Sequence, residues 1–170
     1  MIDEEGPMTL EDKKKVVLDF FKTAFEDQNP EKALRLYVGD YYRQHNPAVP
    51  DGKEAFAAYV KARSAKNPGR KILLKRVIAE GDLIVLHSHN IFVTGDEGYT
   101  GAPYGVASIN IFRLENGKIV EHWDVREPVP AEAVHQNTMF SVRPQLSTLP
   151  EAWSTVPSGI KISTRIKCFI

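Results

Sequence analysis

The chain has a single cysteine, Cys168, two residues from its end, so no intrachain disulfide can form. A reducing, cytoplasmic compartment fits that usage. Neither sign of charge is in excess: 22 basic residues offset 22 acidic ones. That leaves no electrostatic footprint for nucleic acid or for an anionic membrane. No apolar run approaches the roughly 20 residues needed to span a bilayer. The first residues, MIDEEGPMTLEDKKK, are too charged for a secretory signal. There is no glycine-rich phosphate loop and no GxSxG; GDEGYTGAPYG (95–105) is turn-rich but follows the wrong elements for a nucleotide site. Internal repeats and low-complexity blocks are also missing.

What is present is 170 residues, enough for one domain with a single buried core. Thr9 followed by Asp12 makes a helix start, and Val17, Phe20, Phe21, Ala24 and Phe25 recur at helical spacing, which predicts a helix over 10–27. Asn29-Pro30 caps a second helix to about Tyr37. Asp40–Asn46 reads as a short polar connection ended by Pro47 and Pro50, and Asp51-Gly52 opens a third helix with Phe56, Tyr59 and Val60. Residues 71–79, 83–93, 102–114 and 118–127 are β-rich. Asn116-Gly117 between the last two is the strongest short hairpin signal, because both residues tolerate positive φ. A short helix is expected at 131–137. Helices first and an antiparallel meander second predict an α+β fold with the helices on one face of a sheet. The concave side of such a sheet is a natural small-molecule pocket. Residues 141–170 lack periodicity and read as an extension beyond a domain at 1–140, loosely docked or dimer-associated, with 158–170 able to add a strand.

The densest chemistry lies in IVEHWDVRE, 119–127. With an unbroken two-residue hairpin, Asn110 faces Trp123, Phe112 faces Glu121 and Ser108 faces Val125. Alternation then puts Ser108, Asn110, Phe112, Glu121, Trp123, Val125 and Glu127 on one face, and Ile109, Ile111, Arg113, Val120, His122 and Asp124 on the other. The first face reads as a pocket lining with a tryptophan wall, an amide and carboxylates. On the second, His122 and Asp124 stand two apart and can tune each other's pKa. A one-residue bulge would exchange the two faces. The plainer alternative is that these charges decorate a rim or a dimer surface.

Tyr42-Arg43-Gln44-His45-Asn46-Pro47 concentrates hydrogen-bonding side chains before a rigid turn, where His45 or Asn46 could reach over the mouth of the sheet. His87-Ser88-His89 places two imidazoles on one strand face, a fragment of a metal site without an evident second half. His135 is expected on the surface.

Taken together, Tyr42-x-Gln44-His45-Asn46-Pro47, Gly52 before a helix, Gly81-Asp82-x-x-x-x-His87, Asn110-Ile111-Phe112-Arg113, Gly117-Lys118-Ile119-Val120-Glu121-His122-Trp123-Asp124-Val125 and Met139-Phe140 resemble the SnoaL-like family. The likeness is to its predicted aldol-condensation branch, within the nuclear transport factor 2-like superfamily, over about residues 10–140. The resemblance implies a cone-shaped sheet packed on three N-terminal helices, a homodimer through the outer sheet face, and a cofactor-free pocket for a small hydrophobic or polyketide-like molecule. It implies acid/base chemistry on an enolisable carbonyl: cyclisation, aldol chemistry, isomerisation or dehydration. The family's cyclase aspartate falls on Glu127, where the branch usually has glutamine, and Asn110 stands where it usually has aspartate. The expected base is Glu127 or the His122–Asp124 pair, with His45, Asn110 or Tyr42 binding the enolate oxygen. Gln44, Asn46, His87, Glu121 and Trp123 are expected to line the pocket. Two rival readings stay open: a non-catalytic binding or dimerisation module, and a metal enzyme using His87 and His89.

Overall fold

A computed structural model describes residues 7–92 and 104–140. The chain divides into two compact units, Met1–His135 and Gln136–Ile170. The expected strand at 158–170 lies outside the described residues.

Helix α1 spans Leu10–Phe21. Thr9 caps it: its Oγ1 accepts from the Asp12 amide at 3.1 Å, and Asp12 accepts from the Thr9 amide at 3.0 Å. This reciprocal box satisfies two of the amides that a helix start leaves orphaned. The expected helix to 27 is continuous, but its last turn, Lys22–Glu26, widens to a π-helix. Helix α2, Pro30–Tyr37, starts where Asn29-Pro30 predicts, with Asn29 Oδ1 accepting from the Lys32 amide at 3.0 Å. Helix α3 spans Lys53–Lys66.

Five strands form one sheet: β1 Val38–Gln44, β2 Lys71–Glu80, β3 Leu83–Ile91, β4 Val106–Glu115 and β5 Lys118–Pro128. Their order is β1-β5-β4-β3-β2. Strand β1 runs parallel to β5 and the other pairs are antiparallel. The polar connection expected at 40–46 is therefore mostly an edge strand. Its own alternation, Tyr42 and Gln44 against Tyr41 and Arg43, is obscured by having no apolar side. The helix expected at 131–137 does not form; the segment is a run of bends and His135 is exposed.

The core sits between the helices and one end of the sheet. Val17, Phe20, Phe56, Ile84, Leu86, Phe112, Leu114 and Ile119 are buried there. Phe20 stacks on Phe56 at 5.6 Å and meets Phe112 edge-on at 5.8 Å. Each such full burial contributes roughly 2 kcal/mol.

The β4–β5 hairpin turns at Asn116 (φ 48°) and Gly117 (φ 74°), as Asn-Gly demands. Leu114 still pairs with Ile119, but the next pair is Arg113 with Glu121. Val120 is the extra residue of a β-bulge. From there outward Phe112 pairs with His122, Asn110 with Asp124 and Ala107 with Glu127. The face assignment expected from an unbroken hairpin is thus reversed along β5. Gly39 on β1 accommodates the bulge: a Cβ there would lie 3.0 Å from Val120 Cγ1.

Candidate functional site

The bulge decides which side chains meet the helices. Along β3 the helix-facing positions are Ile84, Leu86, Ser88 and Asn90; along β4 they are Leu114, Phe112, Asn110 and Ser108. All but Asn110 are buried. Both strands are apolar over the core at Ile84, Leu86, Phe112 and Leu114 and carry polar side chains beyond it at Ser88, Asn90, Ser108 and Asn110, with Val106 apolar again at the far end of β4. On β5 the same side carries His122 and then Asp124. From β1 come Tyr42 and Gln44, and from the loop after it Asn46.

These polar groups form one hydrogen-bonded row. Gln44 Nε2 donates to Tyr42 Oη at 3.4 Å. Gln44 Oε1 lies 3.0 Å from His122 Nδ1, and His122 Nε2 lies 3.2 Å from Asn110 Oδ1. The Asn110 amide reaches Ser108 Oγ at 3.4 Å, which also meets Ser88 Oγ and Asn90 Nδ2, each at 2.8 Å. Separately, Asn46 Nδ2 donates to Asp124 Oδ1 at 2.6 Å. The His122 ring sits 4.7 Å from Phe112 and 6.5 Å from Tyr42. Among the described residues no buried side-chain nitrogen or oxygen lacks a partner.

Burial acts on each ionisable group of this row in the direction that favours neutrality. It pushes His122 down to about 4, helped by the neighbouring His45. It raises the Asp124 carboxyl, against the opposing pull of the Asn46 hydrogen bond and of Arg126 and Arg63. It raises the Tyr42 phenol, with Asp124 adding to the effect, so Tyr42 remains protonated.

The opposite side of β5 carries Glu121, Trp123 and Glu127. Glu121 accepts from His45 Nε2 at 2.7 Å and from Arg113 Nε at 2.7 Å, with Arg43 Nη1 at 3.8 Å. Arg113 also holds Glu115 at 2.6 Å and Tyr41 Oη at 3.1 Å. His45 lies flat on Trp123, 4.7 Å between centroids and 4° between planes. Burial alone would raise Glu121, but the hydrogen bonds from His45 and Arg113 outweigh it and hold its carboxyl below the usual value. Its side chain is only 10 % exposed because neighbours cover it, not because it lies deep. Glu127 is exposed.

Of the expected site residues, Tyr42, Gln44, Asn46, Asn110, His122 and Asp124 converge on the helix-facing side. Glu121, Trp123, Glu127 and His45 lie on the other side, a correction that follows from the Val120 bulge and from His45 alternating outward after Gln44. His87 is also on that other side: Arg76 Nη1 donates to its Nδ1 at 2.9 Å. His89 Nε2 meets the Tyr104 carbonyl at 2.6 Å. A guanidinium against one imidazole and a backbone carbonyl on the other do not make a cation site. Among the described residues no group of three or more His, Cys, Asp or Glu could hold a metal ion. Ser88 and Asn90 were not among the expected site residues, whereas Ser108 was placed on the expected lining face. The signal of Ser88 and Asn90 is polar character at the same parity as Ile84 and Leu86, opposite in parity to the neighbouring His87 and His89.

A separate groove of about 500 Å³ lies between α2 and α3, lined by Leu34, Arg35, Glu54, Ala57 and Lys61. The Glu31–Lys61 ion pair ties its two walls. It contains none of the residues above.

A family profile described as the SnoaL-like domain matches residues 17–122. A comparison with curated proteins found no match. Among solved structures the chain is similar to TsrD from Streptomyces laurentii, at 25% identity over 71% of this chain and 92% of that one, with a TM-score of 0.58. It is also similar in fold to a candidate polyketide cyclase from Acidithiobacillus ferrooxidans (20%, 71% and 92%, TM-score 0.56). A candidate isomerase of the SnoaL-like family from Agrobacterium tumefaciens shares the fold as well (15%, 69% and 98%, TM-score 0.55). Among the described residues no helix is long and apolar enough to cross a membrane.

Proposed function

The chain belongs to the SnoaL-like domain family, and from the polar row on its helix-facing sheet side we propose that it performs acid/base chemistry on a small enolisable carbonyl compound. The observation that carries this reading is Asp124. Burial raises its carboxyl toward the range a general base needs. Asn46 holds one oxygen at 2.6 Å, and the residue directly across the strand pair is Asn110. Side chains so paired stand about 5 Å apart at Cβ, the span of an α-carbon and its carbonyl oxygen between a base and a hydrogen-bond donor. Asp124 would take the α-proton. The electron pair would move into the carbonyl, and the Asn110 side-chain amide would donate to the enolate oxygen. The proton would return from Asp124 to carbon in isomerisation, to the alkoxide formed when the enolate carbon attacks a second carbonyl of the substrate in ring closure, or to the leaving oxygen as the C–O bond breaks in dehydration. This chemistry asks for no cofactor.

Asp124 takes the place expected for Glu127, which is exposed and on the other side. Glu121 is held ionised by Arg113 and His45 and is a poor base. On the open side of the sheet Val125 is 70% exposed, and a homodimer would cover it there; sedimentation at micromolar concentration tests that arrangement.

The test uses 1-tetralone, an aromatic ketone with slowly exchanging α-protons. In deuterated water the protein should accelerate loss of its α-proton signal, and Asp124→Asn should abolish the acceleration while the fold is retained. Binding of the ketone with no acceleration by the wild-type protein would favour a non-catalytic binding module.

A further inference from the structure

His122 is the one imidazole on the helix-facing side, and neither of its ring nitrogens is open to a ligand. Nδ1 faces Gln44 at 3.0 Å and Nε2 faces Asn110 at 3.2 Å. Its role is therefore not direct proton transfer, and the question becomes what it orients.

The identity of the Gln44 atom is fixed independently. The Asn46 backbone N–H donates to Gln44 Oε1 at 2.9 Å, so that atom is the carbonyl oxygen and not the amide nitrogen. An acceptor at Nδ1 requires the hydrogen on Nδ1. The ring is buried between Phe112 and Tyr42, and both that burial and the neighbouring imidazole of His45 disfavour a positive charge. A neutral ring with hydrogen on Nδ1 carries a lone pair at Nε2. A lone pair cannot face a carbonyl oxygen. Asn110 must therefore turn its NH2 toward the ring and its oxygen toward Ser108, an exchange that leaves every atom position occupied.

The rest of the row then closes. Ser108 Oγ accepts from Asn90 Nδ2 and from the Ser88 hydroxyl, each at 2.8 Å, and gives its own hydrogen to Asn110. That uses both lone pairs and the one hydrogen of a hydroxyl. Asn110 keeps a second N–H to give, opposite Asp124 on the neighbouring strand.

We infer that Gln44 is a positioning residue: by holding the hydrogen of His122 on Nδ1, it fixes the Asn110 side chain as a donor beside Asp124. Asn110 then presents a substrate oxygen with an N–H and never with a repelling carbonyl. The functional half of this inference rests on Asp124 and Asn110 being the reacting site; the orientation of the imidazole does not.

The experiment is a long-range proton–nitrogen correlation on protein labelled with 15N at histidine. The wild-type spectrum at pH 7 should show His122 neutral with its hydrogen on Nδ1; a hydrogen on Nε2, or on both nitrogens, overturns the inference. In Gln44→Met the acceptor is gone, and the hydrogen should move to Nε2 with Asn110 turning its oxygen to it. The α-proton exchange of 1-tetralone should then fall by about ten- to a hundredfold, by loss of one oriented donor. A tautomer unmoved in Gln44→Met overturns the inference, as does a moved tautomer with exchange unchanged. If the wild-type protein shows no exchange, the reading of Asp124 falls, and the spectra still decide whether Gln44 sets His122.

Discussion

Two histidine–acid sets stand back to back across one strand, and the fold treats them in opposite ways. On the open side His45 and Glu121 are joined at 2.7 Å, and Arg113 adds a second charged donor to the same carboxylate. On the helix-facing side His122 and Asp124 hydrogen-bond the neutral side chains Gln44, Asn110 and Asn46, although Arg126 and Arg63 also pull on Asp124. Glu121 of the first set is held in its charged form, whereas His122 and Asp124 are pressed toward their neutral forms. Residues 121, 122, 123 and 124 are adjacent in the chain, so composition is not the cause. Parity along the strand and the burial that goes with it are. A stabilised charge is a poor proton carrier, whereas a carboxyl with a raised pKa can give and take a proton near neutrality.

The largest expected effect separates the sets by rate. Asp124→Asn keeps an oxygen to accept from Asn46 but removes the base, and α-proton exchange should fall by about 10²–10⁴-fold. The same substitution should not cost stability at neutral pH. With its pKa raised in the folded state, Asp124 binds its proton more readily folded than unfolded. Stability from this residue is highest below its unfolded value of 3.8 and declines as pH rises through the folded value. Asp124→Asn should thus raise the thermal midpoint at pH 7 while stopping turnover, the trade expected of a catalytic group.

His122 carries the next effect, on acid stability. Its folded value near 4 lies below the unfolded 6.5, so between these the unfolded chain binds more protons. Its contribution is fully present above pH 6.5 and is lost as pH falls to about 4, about 3 kcal/mol in all. Urea unfolding across that window should show the loss in the wild-type protein and a flatter profile in His122→Gln. Because Asp124 works in the opposite direction there, Asp124→Asn should steepen the acid loss. A parallel shift at every pH would mean that burial does not act on these two groups as described.

How much of this was legible beforehand follows the same division. The three helices, the four long strands and the Asn-Gly turn came from caps, periodicity and positive-φ residues, all local signals. Strand β1 did not, because Tyr41–Gln44 has no apolar side and its partner β5 lies far along the chain. The face assignment failed at one residue. Val120 bulges where Gly39 leaves room for it, and that contact joins positions no local pattern connects. His122, Asp124, Asn110, Gln44 and Asn46 could be singled out by type; which of them share a side could not.

Smaller effects probe the open side. Arg113→Met removes one donor from Glu121 and should lower the thermal midpoint modestly at pH 7, since a covered carboxylate loses a charged partner yet keeps His45. Glu121 has a lowered folded value, so its contribution is present above 4.5 and disappears as pH falls through that lowered value. The deficit of Arg113→Met in thermal melts should shrink in acid, and α-proton exchange at pH 7 should be unchanged.

The smallest expected effect carries the sharpest consequence for the comparison. Glu127 is exposed and has the parity of Glu121 and Trp123, three residues beyond Asp124 on the same strand. Glu127→Gln should leave exchange intact and stability within about 0.5 kcal/mol of the wild type. An unbroken hairpin would instead turn Glu127 inward, onto the face that carries Asn110, and Asp124 outward. Measured side by side, Glu127→Gln and Asp124→Asn therefore report on the Val120 bulge itself. If Glu127→Gln is the variant that stops exchange, the register beyond Arg113 is wrong and the two sets change places. If Asp124→Asn stops it, a single extra residue has determined which acid of IVEHWDVRE does the chemistry.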